Sequence, residues 1–451
     1  MSVDLAREIA LKILYEVNEK GAYSNIALNR HLESKALKSI DRAFITELVY
    51  GTIKWKLSVD WIIQQFSNIK LKKISPWVMN ILRLGVYQIL YTDRIPESAV
   101  CNESVKLAKR YGHAASGGYV NAVLRNVARN KEKISFPDKS EDLEHYLSVR
   151  YSHPEWMVRQ WVKRYGEEFT EELLKSNNEI PDFAVRVNTL KITRERLVEE
   201  LKAEDIRARK GRFADEALVL ENPSAVTKLE SFKKGYFQVQ DESSMLVGYI
   251  LDPKPGELVI DVCSAPGGKA THMAQLMENE GIVVARDIHE NKVKLIQEAA
   301  DRLGMSIIKT EVFDALKIDN NYIERADRVL VDAPCTGLGI IRKKPDIKWA
   351  RVEEDKKDII ELQMGILAAA SKYVKPGGVL VYSTCTIEPD ENEEVVNNFL
   401  KTHPEFKPAD ISGAIPEKLM KQTAKDGYVQ LYPNVDGVDG FFISKLIKGE
   451  N

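Results

Sequence analysis

Hydrophobic positions in the front part of the chain recur at helical spacing. In "SPWVMNILRLGVYQILYT", Ser75 stands where a helix N-cap is favoured and Pro76 stands at the first helical position, and the apolar residues that follow share one face. "RIPESAVCNESVKLAKRYG" repeats this arrangement, with Pro96 at its start and Gly112 at its end. Residues 1 to about 140 therefore predict a bundle of helices joined by short loops.

The pattern changes between about residue 150 and residue 235. "FAVRVNTL" alternates as a strand does, "TRERLVEELKAE" has a helical period with Thr193 as its cap, and "IRARKGRFADEALVLEN" is extended in character. These segments predict a small α+β module, similar in shape to an RNA-recognition (RRM-like) module. We identify no aromatic pair in it that is suited to stacking on bases.

After residue 240, short apolar strands alternate with helices. The first, second, fourth and fifth strands read "ELVIDVC", "GIVVARD", "RVLVDAPC" and "GGVLVYSTC", and the third precedes "EVFDAL". Uninterrupted apolar strands separated by helices are typical of a parallel sheet covered on both faces. The pattern predicts a doubly wound, Rossmann-like α/β domain with its site at the carboxyl ends of the strands. The predicted domains span residues 1–140, 141–235 and 236–451.

Composition narrows the class of protein. The chain of 451 residues is 44% hydrophobic and 29% charged, as in ordinary globular proteins. No window holds the roughly 18 apolar residues of a membrane span, and the start is typical of an amphipathic helix rather than a signal peptide. The four cysteines are widely spaced. This argues against a disulfide framework or a CxxC metal site, and it favours a reducing cytoplasm, with Cys101 as a core residue.

The charge is unevenly distributed along the chain. Residues 1–150 contain 23 Lys+Arg against 16 Asp+Glu, although the whole chain has a net charge of −2. A basic front attached to an acidic remainder suits the binding of a polyanion. Solvated basic helix faces explain the charge equally well.

A glycine-rich turn, "CSAPGGK", joins the first strand of the last domain to a helix. It is neither a GxGxxG fingerprint nor a Walker A loop, but Gly267 and Gly268 allow a ligand to approach the backbone. Asp287 ends the second strand, where an acid commonly binds ribose, and Asp314 follows the third strand, where it can meet an adenine amine. Each acid alone is more often a turn residue. Together the three features indicate S-adenosylmethionine, which has ribose and adenine but no phosphate.

Two cysteines follow neighbouring strand ends, Cys335 in "DAPC" and Cys385 in "STC". Core packing is the simpler explanation for one cysteine, but adjacent strands would bring both thiols to one cleft. A thiolate beside a methyl donor suggests methylation at C5 of cytosine, which becomes nucleophilic once the thiolate adds to C6. Either Lys269 or the binding of the substrate itself can help to lower the pKa of the thiol. Asp332 can bind the N3/amine edge of cytosine as the general acid.

Several longer motifs resemble those of the RNA cytosine-C5 methyltransferases: "QDESS", "DVCSAPGGKATHMA", "VLVDAPCTGLGIIRKKPDIKW" and "LVYSTCTIEPDENE". In the front part, "DRAFITELVYGTIKW", "ILRLGVYQILY" and "YVNAVLRN" resemble the helical RNA-binding domain of the antitermination factor NusB. This combination is similar to the ribosomal RsmB type within the family. The resemblance implies S-adenosylmethionine-dependent methylation of one cytosine in a hairpin of 16S rRNA, cytosine 967.

The resemblance also implies a role for each residue of the site. Cys385 is the nucleophile that adds to C6, and Cys335 assists product release. Asp332 faces the methyl group and the target base, while Asp287 binds the ribose and Asp314 the adenine. The methionine end of the cofactor is cradled by the residues of the turn, which are Cys263, Ser264, Ala265, Pro266, Gly267, Gly268 and Lys269.

Two residues depart from the family pattern. Arg286 precedes the ribose-binding acid at a position where a small or apolar residue is commoner. Phe313 precedes Asp314 at a position where glycine is frequent. Both departures concern the adenine side of the expected cofactor site.

Cations and an aromatic residue follow the fourth strand. The stretch "IIRKKPDIKWAR", residues 340–351, holds five cations and Trp349. That combination suits phosphates and an unpaired base, which must leave its stack to reach the thiol, and a solvated loop is the alternative. A basic surface of the front domain is expected from Lys70, Lys72, Lys73, Lys106, Lys109, Arg110, Arg125 and Arg129.

We expect a monomer that acts on 16S rRNA without a membrane. Two alternatives stay open. In the first, the protein binds RNA or regulates transcription and its α/β fold is inert, which the intact cysteines argue against. In the second, the same chemistry takes place on tRNA.

Overall fold

The computed structural model describes residues 3–33, 37–221, 223 and 225–450. The chain divides into two compact units, Met1–Glu179 with Ile341–Glu353, and Ile180–Ile340 with Glu354–Asn451. Among the described residues, no helix is both long enough and apolar enough to cross a membrane.

The first unit is helical, as the sequence predicts. One hydrophobic core, with buried residues from Ala6 to Val127, includes Cys101, which is 3% exposed. The predicted start at Pro76 and the predicted end at Gly112 are both observed. Its first ten helices are α1 (Leu5–Lys20), α2 (Ser24–Glu33), α3 (Ser39–Lys54), α4 (Lys56–Phe66), α5 (Pro76–Tyr91), α6 (Glu97–Tyr111), α7 (Ser116–Arg129), α8 (Leu143–Tyr151), α9 (Glu155–Tyr165) and α10 (Glu167–Asn178).

The second unit begins with the small α+β module. Its elements are β1 (Phe183–Val187), α11 (Arg194–Ala203), β2 (Arg207–Lys210), β3 (Ala217–Glu221), α12 (Glu230–Lys233) and β4 (Phe237–Val239). The strands form an antiparallel sheet in the order β2-β3-β1-β4. Thr193 caps α11 as expected, because its side chain accepts a hydrogen bond from the backbone N–H of Arg196 at 3.3 Å.

The remaining elements form the predicted α/β domain, apart from α16, which lies in the segment Ile341–Glu353 of the helical unit. They are α13 (Glu242–Leu251), β5 (Leu258–Asp261), α14 (Gly268–Leu276), β6 (Ile282–Asp287), α15 (Glu290–Leu303), β7 (Ile308–Val312), β8 (Ala326–Asp332), α16 (Ile347–Ala350), α17 (Asp355–Ser371), β9 (Val374–Thr384), α18 (Glu393–Thr402), β10 (Phe406–Pro408), β11 (Tyr428–Leu431), α19 (Pro433–Asp436) and β12 (Phe441–Lys448).

The sheet of this domain is mixed rather than wholly parallel. Strands β9-β8-β5-β6-β7 are parallel in that order, as predicted. The chain then adds β12 antiparallel to β9, and β10 and β11 both pair with β12. An antiparallel edge on a parallel sheet is common in such folds. The sequence analysis missed these strands because two of them are very short and no crossover helix marks them.

The parallel order brings the informative residues together. Strands β8 and β9 are neighbours, with Asp332 opposite Ser383 in the register. Strands β5 and β6 lie next to them and carry the glycine-rich turn and Asp287 at their carboxyl ends. Because the carboxyl ends of parallel strands meet at one edge, all these residues border the same edge of the sheet.

Candidate active site

The two cysteines of the adjacent strand ends lie side by side. Cys385 directly follows β9 and Cys335 lies in the loop after β8, and their sulfur atoms are 3.3 Å apart. Both residues are half-buried. The backbone N–H of Gly339 donates to the carbonyl of Cys385 at 3.0 Å, which joins the two loops. The predicted meeting of two thiols at one place is therefore observed.

A lysine–aspartate pair lies next to the thiols. Lys269 Nζ donates to Asp332 Oδ2 at 2.7 Å, and Ser383 Oγ donates to Asp332 Oδ1 at 2.8 Å. Burial alone would lower the pKa of Lys269, but the charge and hydrogen bond of Asp332, with a further contribution from Cys385, raise it. The Lys269 ammonium is thus a permanent positive charge close to Cys385.

The environment of Cys335 is different. Its hydrogen bond to Cys385, together with burial and the nearby Glu391, raises the pKa of Cys335 well above the ordinary thiol value. Glu391 is itself buried and accepts hydrogen bonds from the backbone N–H of Thr336 at 2.9 Å and from Gln363 Nε2 at 3.0 Å. The raised pKa means that the Cys335 thiol keeps its proton at neutral pH.

Sequence reasoning did not identify Glu391 as part of the site. The stretch "IEPDENEE" is strongly acidic in sequence, yet Glu388 and Glu391 are fully buried. Glu388 is paired with Lys356 at the start of α17. The available signal was Pro389, because proline is favoured at the first position of a helix and a short helix, Pro389–Glu391, starts there.

The glycine-rich turn begins helix α14 at Gly268. Gly267 has φ of +96°, and a Cβ at this position would lie 3.1 Å from the backbone of Ile296. Glycine is therefore needed both for the left-handed conformation and for the close packing. The backbone N–H of Ser264 donates to the carbonyl of Arg286 at 2.7 Å, so the turn is fixed to the end of β6.

Two buried polar atoms near this turn have no hydrogen-bond partner among the described residues: Asp261 Oδ2 and Ser264 Oγ. Burial, with a contribution from Asp332, raises the pKa of Asp261 to about 7. Burial also raises the pKa of Cys263, and Asp261 and Asp332 add to the effect, so this thiol stays neutral. Unsatisfied polar groups beside an open glycine backbone fit a polar ligand that completes their hydrogen bonds.

The two acids of the next strand ends are where the sequence places them. Asp287 closes β6, and its Oδ1 accepts from the backbone N–H of His289 at 3.0 Å. Asp314 follows β7, and its Oδ1 accepts from the backbone N–H of Leu316 at 3.0 Å. Each carboxylate thus also stabilises its own turn.

The two departures from the family pattern contact each other. The guanidinium carbon of Arg286 lies 4.3 Å from the centre of the Phe313 ring. Arg286 is 1% exposed and forms ion pairs with Glu311 on β7 at 2.7 Å and with Asp319 at 2.6 Å. The pair therefore joins the strand ends that precede Asp287 and Asp314.

Another missed residue supports the turn from the α+β module. Arg186 on β1 is fully buried, and its guanidinium donates to the carbonyl of Gly268 at 2.8 Å and to Thr271 Oγ1 at 3.1 Å. It also bonds to Gln240 of the "QDESS" motif. An arginine within an apolar strand, as in "FAVRV", was the signal that sequence reasoning left unused.

The RNA-contact prediction is wrong for Lys348. Lys348, expected to bind phosphate, is fully buried and donates to the carbonyls of Lys54 and Ser152 at 3.0 and 2.8 Å. The indole N–H of Trp349 donates to the carbonyl of Ile53 at 2.8 Å. The segment Ile341–Glu353 belongs to the helical unit, and three backbone or amide acceptors hold the Lys348 ammonium there.

The described residues contain no group of three or more His, Cys, Asp or Glu side chains arranged to hold a metal ion.

Comparisons with known proteins match all parts of the chain. Family models match for the NusB family at residues 4–129, the ferredoxin-like domain of RsmF/B-like methyltransferases at 153–227, and the 16S rRNA methyltransferase RsmB/F at 248–447. The probable ribosomal RNA small subunit methyltransferase B of Bacillus subtilis is 42% identical over 444 residues, which is 98% of each chain.

Solved structures agree with these matches. The crystal structure of PH0851 has a TM-score of 0.83 at 28% identity and covers 99% of this chain and 100% of that chain. NSun6 from Pyrococcus horikoshii with SFG has a TM-score of 0.58 at 26% identity and covers 65% of this chain and 97% of that chain. The predicted fold class and cofactor, S-adenosylmethionine, are confirmed. The chain belongs to the RsmB/F family of S-adenosylmethionine-dependent 16S rRNA methyltransferases.

Proposed function

We propose that this protein methylates C5 of a cytosine in 16S rRNA through a transient bond between Cys385 Sγ and C6 of the base. The observation that carries the proposal is the pair of sulfurs 3.3 Å apart, next to the Lys269–Asp332 ion pair. Simple transfer to an amine or a hydroxyl needs no thiol. Two adjacent thiols beside a fixed cation suit a covalent route.

The first step is nucleophilic addition. C5 of cytosine is a poor nucleophile until the Cys385 thiolate bonds to C6 and N3 gains a proton, which turns the ring into an enamine. Lys269 stabilises the thiolate, because its ammonium lies on the side of Cys385 and stays charged. Cys335 keeps its own proton and donates a hydrogen bond to the thiolate.

Asp332 is the residue we assign to the N3/amine edge of the base. Lys269 and Ser383 hold both of its oxygens at fixed positions, 2.7 and 2.8 Å away. The neighbouring Asp261 has a pKa of about 7 through burial and the charge of Asp332, so Asp261 holds a proton over much of the neutral range, which Asp332 can relay to N3 of the base. A resident proton beside the N3 edge is what a general acid requires.

Elimination closes the cycle. Once C5 carries the methyl group, the C5 proton must leave, the C6–sulfur bond breaks, and N3 returns its proton, which regenerates cytosine and the Cys385 thiolate. Cys335, 3.3 Å from Cys385, is the residue we assign to this release. For this step the Cys335 thiol first passes its own proton to water, and the resulting thiolate, a strong base because of its high pKa, takes the proton from C5 and becomes a thiol again.

S-adenosylmethionine supplies an electrophilic methyl group when bound. The turn of Cys263 to Lys269 would hold its methionine end, with Asp261 Oδ2 and Ser264 Oγ as unsatisfied partners for its polar groups. Asp287 would bind the ribose hydroxyls and Asp314 the adenine amine. Arg186 and Arg286 keep these residues in place by fixing the turn and the two strand ends.

The test uses labelled S-adenosylmethionine with 16S rRNA and tRNA from a strain that lacks this protein. We expect label in 16S rRNA, and bisulfite sequencing should map it to a single 5-methylcytosine, with cytosine 967 as the specific expectation. Label on another base atom would overturn the C5 assignment. Label in tRNA would overturn the assignment of 16S rRNA as the substrate. RNA binding without methyl transfer would mean that the α/β fold is inert.

A further inference from the structure

The helical unit contains a second concave site, separate from the residues assigned to chemistry. A cavity of about 620 Å³ is bounded by α4, the starts of α8 and α9, and α16. Its volume falls within the roughly 300–1,000 Å³ of typical ligand sites. We call it the indole pocket because three indole rings line it, those of Trp61, Trp156 and Trp349.

Two of these rings are fixed by hydrogen bonds. The indole N–H of Trp61 donates to the carbonyl of Ser135 at 2.9 Å, and that of Trp349 donates to the carbonyl of Ile53 at 2.8 Å. His145, which also lines the pocket, packs edge-on against Trp61 with ring centres 5.6 Å apart. Rings whose N–H groups are already bonded offer their π-faces rather than their polar edges.

The charges beside the pocket favour an anion. Leu71 lines it, and the residues on both sides of Leu71 are the exposed lysines Lys70, Lys72 and Lys73. Within the described part of the chain none of the three forms an ion pair. Lys56 lies 5.4 Å above the Trp349 ring and adds a further positive charge.

The acidic residues in the lining do not cancel this charge, because each has its own partner. Asp60 accepts two hydrogen bonds from Arg83, at 2.7 and 2.8 Å. Glu155 pairs with Arg159 at 3.1 Å. A pocket of aromatic rings with unpaired lysines at its side is the combination that binds single-stranded nucleic acid, since bases stack on the rings and phosphates meet the cations.

We propose that the indole pocket binds one unpaired nucleotide of the rRNA substrate, with its base against the indole rings and its phosphates along Lys70, Lys72 and Lys73. The site would anchor the RNA at a nucleotide other than the methylated one. The proposal rests on rRNA as the substrate, and it does not depend on the cytosine chemistry, because its tests measure binding without cofactor.

The first test measures equilibrium binding of the full-length chain to an unmodified 16S rRNA transcript. Trp156→Ala should weaken binding by roughly tenfold, the usual effect of losing one base–aromatic stack, while Trp156→Phe should stay close to wild type. Each variant should bind S-adenosylmethionine normally, which shows that it is folded. Equal affinity of Trp156→Ala and wild type would overturn the proposal.

The second test separates the pocket from general basic charge. Replacing Lys70, Lys72 and Lys73 by Gln should reduce the slope of log affinity against log salt by about two, since each phosphate contact contributes about 0.7–0.9. The matched control replaces Arg94, Lys133 and Lys163, which are also exposed, lie outside the predicted basic surface and do not line the pocket. A larger loss in the control would place the RNA elsewhere and refute the pocket.

The third test locates the nucleotide directly. Photocrosslinking of a transcript that contains 4-thiouridine should yield adducts on peptides that carry Trp61, Trp156 or Trp349. Crosslinks confined to other peptides, with affinity unchanged in both pocket variants, would overturn the proposal and favour a protein segment as the occupant. If methyl transfer proves not to be at C5 while the pocket variants still lose RNA affinity, the proposed reaction is refuted and the proposed RNA site stands.

Discussion

The two thiols at the ends of β8 and β9 are 3.3 Å apart, yet their neighbours differ in charge. Cys385 lies on the side of Lys269, whose ammonium is kept protonated by Asp332. Cys335 lies on the side of Glu391, a buried carboxyl that contributes to the raised pKa of this thiol. A few ångströms therefore separate a position that favours a thiolate from one that favours a thiol.

This difference is what assigns roles to two otherwise similar residues. Spacing and strand position treat the cysteines alike, since each follows the end of a parallel strand. Because a thiolate is the nucleophile and a neutral thiol is not, the asymmetry of charge favours Cys385 for attack and Cys335 for proton transfer. Each variant below changes one of the two cysteines or one of the charged residues beside them.

The largest effect is expected for Cys385→Ala. Loss of the attacking sulfur should reduce methyl transfer to 16S rRNA by at least about 10⁴-fold, the scale seen when a covalent nucleophile is removed. Binding of S-adenosylmethionine should be unchanged, as isothermal titration calorimetry can measure. Cys101→Ala is the control, because this thiol lies in the core of the helical unit and has no role in the site. Substantial turnover by Cys385→Ala would rule out the nucleophile assignment.

Cys335→Ala should leave attack possible but slow release. We expect turnover to fall by roughly 10²- to 10⁴-fold, the range for loss of a general acid or base, and a covalent protein–RNA adduct to accumulate. A denaturing gel with labelled transcript would display the adduct as a band of reduced mobility. The double variant with Cys385→Ala should give no such band. Absence of an adduct in the single variant would contradict the release role.

Lys269→Met should weaken the preference for the Cys385 thiolate. At neutral pH we expect methyl transfer to drop by roughly 10²- to 10³-fold, as when one group that stabilises developing charge is lost. Without the cation the thiol ionises at higher pH, so the acidic limb of the pH–rate profile should move upward and the deficit should shrink as pH rises. Lys269→Arg keeps the positive charge, so the acidic limb of its pH–rate profile should stay at the wild-type pH. A deficit that is the same at every pH would mean that Lys269 only positions Asp332.

Much of this site was accessible from the sequence because its residues are local to strand ends. The apolar strands, the "CSAPGGK" turn and the two cysteine motifs fix which side chains share an edge once the strand order is known. The charge environment was not accessible. Glu391 stands in an acidic run that is typical of solvent-exposed segments, and only the folded chain shows it buried against Thr336 and Gln363.

The segment Ile341–Glu353 shows why proximity in sequence misleads. It follows the catalytic loop directly, so its cations were expected to face RNA. Lys348 is instead buried in the helical unit and bonded to backbone carbonyls, and burial lowers its pKa well below the ordinary lysine value. Unit membership depends on contacts between residues distant in sequence. The two departures from the family pattern show the same dependence on contacts that are distant in sequence. Arg286 and Phe313 are each unexplained within their own strand end, but in the folded chain they contact each other.

The smallest effect is expected for Glu391→Gln, which removes the charge beside Cys335. The pKa of Cys335 should fall, which narrows its difference from Cys385 and lowers turnover about two- to tenfold. Alkylation of Cys335 followed by mass spectrometry across pH, in a Cys385→Ala background, measures that pKa. An unchanged alkylation profile would mean that Glu391 does not act on the thiol.

Glu391→Gln should also change how the free energy of unfolding depends on pH. Burial raises the pKa of Glu391, so the folded state holds its proton at pH values where the unfolded chain has lost it. This contribution is present below the ordinary carboxyl pKa and is lost as pH rises through the raised value. Glu391→Gln is neutral throughout, so its free energy of unfolding should improve relative to wild type as pH rises above about 4.5. Urea unfolding at several pH values measures this, and a constant difference between the two proteins would mean that Glu391 is not destabilised by ionising.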